Sequence, residues 1–167
     1  MDHLWAPWRR AFLEQPTVGE CIFCQISGRQ SDAEDYVLHR GETVFLSLNK
    51  YPYNVGHMMI VPYRHVIEME ELNEKESAEI FKVLRLSISA AKVTLKPDGF
   101  NIGANIGKPA GAGIEHFHIH AVPRWHGDTN FMPILTETKV LSDNLDKVWR
   151  ELSQEIKRES GDERLDR

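Results

Sequence analysis

Five stretches of the chain carry apolar residues over strand lengths, and two longer ones repeat them at helical spacing. The strand-like stretches are Tyr36–His39, Thr43–Asn49, His57–Tyr63, Phe100–Ile106 and His116–Arg124. Turn residues punctuate them at Gly41-Glu42, at Tyr51-Pro52-Tyr53-Asn54 and along the glycine-rich run from Gly107 to Gly113. The first helix is predicted from about Glu74 to Leu95, with Asn73 as its N-cap and Glu76 three residues on, in capping-box spacing. Ile80, Phe81, Leu84, Ile88, Ala91 and Leu95 form its apolar face, and Lys96-Pro97-Asp98-Gly99 ends it. The second helix is predicted from about Asn144 to Arg158, capped by Ser142 or Asp143, with Leu145, Val148, Trp149, Leu152 and Ile156 as its stripe. Residues 159–167 are mostly charged and are expected to fray.

The order strand, strand, strand, helix, strand, strand, helix, joined by short connections, predicts an α+β domain. Its sheet has five strands, mainly antiparallel, and carries two main helices. A chain of 167 residues holds one domain with a proper core and is too short for two ordinary ones. One domain over 1–167 is expected, with 1–20 as an N-terminal extension.

Composition narrows the class. Apolar residues make up 41% and charged residues 27%, as in soluble globular proteins. The net charge of −5 argues against a non-specific nucleic-acid binder, while leaving room for a local basic pocket. No apolar run reaches the length of a membrane span, and Met1 to Glu14 lacks the continuous apolar core of a signal peptide, so a cytoplasmic protein is expected. The two cysteines sit together as Cys21-Ile22-Phe23-Cys24. In a reducing compartment this spacing points to a metal site or a redox pair rather than a structural disulfide.

The richest chemistry lies in His116-Phe117-His118-Ile119-His120. Alternation along a strand puts the three imidazoles on one face, where they line a polar cleft, and Phe117 and Ile119 on the other. One alternative is a solvent-facing strand that happens to be rich in histidine. Another is a three-histidine metal site, but residues four apart in a strand lie roughly 13 Å from each other. Zinc needs each nitrogen within about 2.1 Å. At least one histidine is therefore left for other work. A neutral imidazole is a competent nucleophile near neutral pH, with a neighbour to contact the phosphate or protonate the leaving oxygen.

With these residues in view, the chain resembles the histidine triad family, whose signature is His-x-His-x-His followed by apolar residues. The likeness covers roughly Cys21 to Trp125 and includes Phe45-Leu46-Ser47-Leu48-Asn49, Gly56-His57-Met58-Met59-Ile60-Val61-Pro62 and the Asn105 to Gly113 loop. It implies a five-stranded antiparallel sheet that dimerises into a ten-stranded one. It further implies a nucleotidyl hydrolase or transferase working through a nucleotidyl-histidine intermediate. His118 matches the nucleophile, His120 the histidine that assists the leaving group, and His57 the separate upstream histidine. Asn49 matches the position that binds the ribose hydroxyls, and Asn105 an amide that contacts phosphate. The backbone of Gly111 and Gly113 is positioned to cradle phosphate.

The resemblance also implies a structural zinc held by Cys21, Cys24, His65 and His116, two thiolates and two imidazoles in a closed tetrahedral set. A thioredoxin-like redox pair and two unbonded thiols are the alternatives. The chain departs from the family at Gly111-Ala112-Gly113, where many members read Gly-Gln-Ser or Gly-Gln-Thr, so a hydroxyl is missing at position 113. Trp5-Ala6-Pro7-Trp8-Arg9 and the segment from Pro123 to Phe131 resemble bacterial members related to diadenosine tetraphosphate phosphorylases. Trp5 and Trp8 offer base stacking, and Arg9, Arg10, Lys108 and Arg124 are candidate phosphate contacts. The expected substrate is a dinucleoside polyphosphate, with water or inorganic phosphate as acceptor. A nucleoside phosphoramidate hydrolase and a zinc-stabilised nucleotide-binding module without catalysis are the competing functions.

Overall fold

The capping box at Asn73 starts the longest helix as its residues require. Asn73 Oδ1 accepts the Glu76 N–H at 2.9 Å and Glu76 returns a carboxylate oxygen to the Asn73 N–H at 2.9 Å. The computed structural model describes residues 21–128 and 143–161. The expected N-terminal extension, Trp5, Trp8, Arg9, Arg10 and the segment 129–142 lie outside the described residues. Among those described, five strands form one sheet: β1 Val37–Arg40, β2 Val44–Leu48, β3 Met58–Pro62, β4 Gly99–Gly103 and β5 Ile119–Arg124. Their order across the sheet is β1-β2-β3-β5-β4, and every neighbouring pair is antiparallel. The helices are α1 Ile22–Gly28, α2 Asp32–Asp35, α3 Glu74–Thr94 and α4 Leu145–Ser160.

The sheet has two differently covered faces. Leu38, Val44, Leu46, Leu48, Met58 and Ile60 face α3 and α4, which bring Ile80, Val83, Leu84, Val148, Leu152 and Ile156. Phe45, Met59, Val61 and Val37 face the other way and meet Phe23 and Ile26 of α1. All five residues of β2, and all five of β3, are buried, as expected for strands sandwiched between helices. The Trp149 indole N–H donates to the Val37 carbonyl at 2.9 Å, so α4 is pinned to β1 by a satisfied polar contact.

Several boundaries differ from the sequence reading. Phe81, placed on the apolar face of α3, is 61% exposed, while Val83 and Ser87 are buried. Phe81 lies one residue, and so about 100° of helical rotation, past Ile80. The N-cap of α4 is Asn144, whose Oδ1 accepts the Asp146 N–H at 2.8 Å, whereas Asp143 pairs with Lys147. The helix continues through Ser160, two residues into the tail expected to fray. The Cys-x-x-Cys segment, left without an element, begins α1. Most consequential, β5 starts at Ile119, so His116 and His118 precede the strand. Beyond the Ile60–Ile119 pair the chain leaves β3, and the Phe117 N–H bonds to the Val66 carbonyl at 2.7 Å.

Candidate active site and metal centre

Leaving the ladder at His116 separates the three histidines, although all three are buried. The His118 Nδ1–H donates to the carbonyl of His116 at 2.7 Å. A regular strand aims a side chain away from the carbonyl two residues back, so this contact needs the irregular backbone. A carbonyl only accepts, so the proton of neutral His118 sits on Nδ1 and the lone pair on Nε2. Burial holds the His118 imidazole below its ordinary pKa, against the opposing pull of that hydrogen bond. The ring packs 5.0 Å from the Phe23 ring and 4.7 Å from the His120 ring.

His120 is oriented in turn. The Tyr53 N–H donates to His57 Nδ1 at 3.0 Å, which leaves the His57 proton on Nε2. That Nε2–H reaches His120 Nδ1 at 2.9 Å. Neutral His120 therefore carries its own proton on Nε2. His57 is fully buried, and the Tyr53 ring lies 4.6 Å from it and 5.7 Å from His120. Tyr53 was not singled out from the sequence. Its position four residues before His57, in the turn that returns the chain to β3, was the available signal.

His118 and His120 open onto one cavity, which Asn49, Asn105, Gly111 and Gly113 also line. Ile22, Phe23, Ile26, Leu48, Met59 and Ile114 make the rest of its wall largely apolar. The cleft is thus less polar than the alternation of histidines implied. Asn49 Oδ1 accepts the Tyr51 N–H at 2.8 Å, and its Nδ2 lies 3.5 Å from His57 Nδ1. In the glycine-rich loop, the N–H groups of Ala110, Gly111 and Ala112 bond back to Gly107 and Lys108 carbonyls. The phosphate cradle expected at Gly111 is therefore spent inside the loop, and among the described residues the N–H of Gly113 is not. Gly107 (φ +78°) and Gly111 (φ +92°) adopt left-handed backbone that side chains resist, which accounts for both glycines.

Two of the candidate phosphate cations are engaged elsewhere. Arg124 bonds to Asp128 at 2.6 and 2.7 Å and to Asn101 at 2.6 Å. Lys108 pairs with Glu115 at 3.4 Å. Neither lines the cavity. Polar residues that were overlooked do line it, among them Asp35, Ser47 and Lys50.

On the other side of His116 lies a second cluster. Cys21, Cys24, His65 and His116 each offer one ligand atom, and these atoms all lie within 4.8 Å of one another. Cys21 Sγ is 3.3 Å from His116 Nδ1, Cys24 Sγ is 3.3 Å from His65 Nδ1, and Cys24 Sγ is 3.7 Å from His116 Nδ1. A tetrahedral zinc with ordinary bond lengths separates sulfur and nitrogen ligands by about 3.6 Å, so the donor set fits. The His116 Nε2–H donates to the Pro62 carbonyl at 2.9 Å, which turns the Nδ1 lone pair toward the thiols. Burial, with the charges of His65 and His118, lowers the His116 pKa to about 4, so the ring is a neutral ligand. The two cysteines are not joined as a disulfide. Cys21 is the N-cap position of α1 and Cys24 lies within its first turn, so the helix presents both thiols on one side.

Comparison with known proteins follows the same lines. Residues 30–127 match the family model of the HIT domain. The chain is 40% identical to a Mycobacterium tuberculosis protein named AP-4-A phosphorylase over 168 residues, covering 95% of this chain and 86% of that one. A zinc-bound histidine triad family protein from Mycobacterium smegmatis superposes with a TM-score of 0.69 at 25% identity, covering 85% of this chain and 96% of its own. A histidine triad nucleotide-binding protein from Sulfolobus tokodaii gives 0.66 at 32% identity, covering 86% and 98%.

Proposed function

The chain belongs to the HIT domain family, and on that premise we propose that it is a nucleotidyl transferase that splits dinucleoside polyphosphates through a covalent intermediate on His118. The observation that carries this reading is the His118 Nδ1–H bond to the His116 carbonyl at 2.7 Å. It leaves Nε2 with a lone pair on a buried, neutral ring whose neighbour, His120, holds a proton on its own Nε2.

The reaction then runs in two displacements. His118 Nε2 attacks an α-phosphorus, an N–P bond forms, and the P–O bond to the leaving nucleotide breaks. The leaving phosphate oxygen departs as an anion whose charge meets the His120 Nε2–H as a hydrogen bond. An inorganic phosphate oxygen, already an anion near neutral pH, next attacks the nucleotidyl-His118 adduct, and the N–P bond breaks with its electron pair returning to His118 Nε2. Asn105 and the Gly113 N–H meet the phosphate charge, Asn49 faces the ribose, and His57 keeps His120 in the useful tautomer. The relative named AP-4-A phosphorylase favours inorganic phosphate over water as the acceptor.

Cys21, Cys24, His65 and His116 would hold a structural zinc, tying α1 to the segment before β5. That Cys21 and Cys24 are not joined as a disulfide suits a reducing cytoplasm. Among the described residues no helix is long and apolar enough to cross a membrane. Strand β4 ends the sheet with Asn101 to Gly103 exposed and Ile102 49% exposed, so a second copy can extend the sheet there into a ten-stranded dimer.

Product analysis tests the function. Diadenosine tetraphosphate gives ATP and ADP when phosphate accepts, and ATP and AMP when water does. ADP that appears only with added phosphate is the expected result. No cleavage of any dinucleoside polyphosphate would refute the assignment.

A further inference from the structure

Two buried polar residues that border the cavity are left idle by the mechanism. Asp35 is 4% exposed and Ser47 is 1% exposed, and both line the cavity. Asp35 Oδ1 faces Lys50 Nζ at 3.5 Å and Arg29 Nη1 at 4.0 Å. Asp35 Oδ2 and Ser47 Oγ have no hydrogen-bond partner among the described residues. A buried oxygen without a partner costs on the order of 1–3 kcal/mol, more when charged, so a native protein keeps one for a reason.

Strand register locates these atoms relative to the histidines. His120 of β5 pairs with Met59 of β3, and Met59 pairs with Ser47 of β2. Paired residues share a face, so His120, Met59 and Ser47 form a row across the sheet. Two strand spacings separate the ends of this row by about 9.5 Å. That matches the reach from a 5′-phosphorus, past a ribose, to the far edge of a purine. Asp35 stands beyond Ser47, just before β1, where the Leu48 N–H bonds to the Tyr36 carbonyl at 2.9 Å. Between the histidines and this polar end lies the apolar stretch of Phe23, Ile26 and Met59, suited to the faces of a base.

We propose that Asp35 and Ser47 read the base, and that they select adenine through its 6-amino edge. This rests on the cavity being a nucleotide site. A carboxylate oxygen only accepts and so takes an amino N–H, while the Ser47 hydroxyl donates to the adjoining ring nitrogen. A purine without the amino group leaves Asp35 Oδ2 unpaired. Hypoxanthine sets a carbonyl oxygen against it. Lys50 and Arg29 hold Asp35 Oδ1 and thereby aim Oδ2.

Calorimetric titration of the full chain with AMP, IMP and purine riboside 5′-monophosphate tests this, since binding does not require the covalent step. The expected result is AMP binding about 10- to 100-fold tighter than either analogue, in line with the loss of one buried hydrogen-bond pair. Asp35→Asn keeps the shape but, with Lys50 and Arg29 facing its carbonyl oxygen, puts an amide N–H where the acceptor stood, so AMP should weaken until it binds no tighter than either analogue. Ser47→Ala deletes only a hydroxyl, whose ring-nitrogen contact AMP and the purine analogue share, so it should weaken both alike and leave their ratio unchanged. Retained binding of the purine analogue by Asp35→Asn shows that this variant is folded. Equal affinities in the unmodified chain, an AMP preference that survives Asp35→Asn, or unchanged affinities in Ser47→Ala overturn the proposal while leaving the nucleotide site standing. Absence of binding by all three nucleotides overturns both.

Discussion

The main-chain carbonyl of His116 accepts the Nδ1 proton of His118 across 2.7 Å, so one residue serves two neighbouring sites. The His116 ring faces the thiols of Cys21 and Cys24, and its backbone sets which nitrogen of His118 keeps its lone pair. The candidate metal centre and the candidate nucleophile therefore share a rigid connection two residues long.

Replacing the nucleophile should abolish the intermediate. His118→Gly is expected to show none of the nucleotidyl adduct that the unmodified chain shows by intact-mass analysis after an alkaline denaturing quench, and to lose turnover by roughly 10,000-fold or more. Wild-type turnover in that variant would remove His118 from the mechanism.

Metal analysis should find one zinc per chain, absent in Cys24→Ser. Loss of the metal frees α1 from the segment before β5 and should lower Tm by about 5–10 °C, from roughly 2–4 kcal/mol of lost stability. Because the His116 carbonyl moves with its ring, kcat should fall more than KM rises. An unchanged Tm in Cys24→Ser would deny the cluster a structural role.

His57 acts on substrate only through His120. His57→Ala should lower kcat by about 100-fold, the scale of one misplaced hydrogen-bond donor to the developing charge, with KM little altered. His57→Gln retains a side-chain N–H for His120 Nδ1 and should recover part of that loss. Equal defects in the two variants would argue that His57 serves packing alone.

The acid limb of stability has an identifiable contributor. Hydrogen bonds from Arg64 at 2.8 and 3.0 Å hold Glu76 below the usual carboxylate range, with the Asn73 N–H adding to the effect. A carboxylate depressed in the folded state stabilises the fold above its unfolded pKa and loses that contribution as pH falls through its folded value. Glu76→Gln should therefore lower Tm near pH 7, where trading the carboxylate for a neutral amide weakens the Arg64 contacts by roughly 1 kcal/mol or about 2–4 °C. The two Tm curves should converge as pH falls through and below the depressed pKa of Glu76. Parallel curves down to acid would exclude the pair as the source.

Much of the candidate site was legible in the chain, for reasons that differ by residue. The long helix was announced by Asn73 and Glu76, whose chemistry is local and independent of packing. The strand cores were legible because short apolar runs bounded by turn residues mark strands covered on both faces. The helix bearing Cys21 and Cys24 went unread because seven residues carry too few turns for a period to register. Phe81 was misassigned because a neighbouring apolar residue on a helix is indistinguishable in sequence from one on the buried face. Asp35 and Ser47 gave no signal, since an acid and a hydroxyl acquire significance only through what surrounds them.

The sequence by itself determined the element order, the antiparallel sheet and the chemical inventory: clustered imidazoles, a pair of thiols and a glycine-rich turn. These follow from side-chain periodicity and backbone preference, which act over a few residues. Only the tertiary structure decided which imidazole faces sulfur, which carries its proton on Nδ1, and which buried polar residues border the cavity. Those outcomes depend on contacts between residues as far apart as Cys21 and His116, and on where β5 leaves its neighbour, and neither is written in any local stretch of the chain.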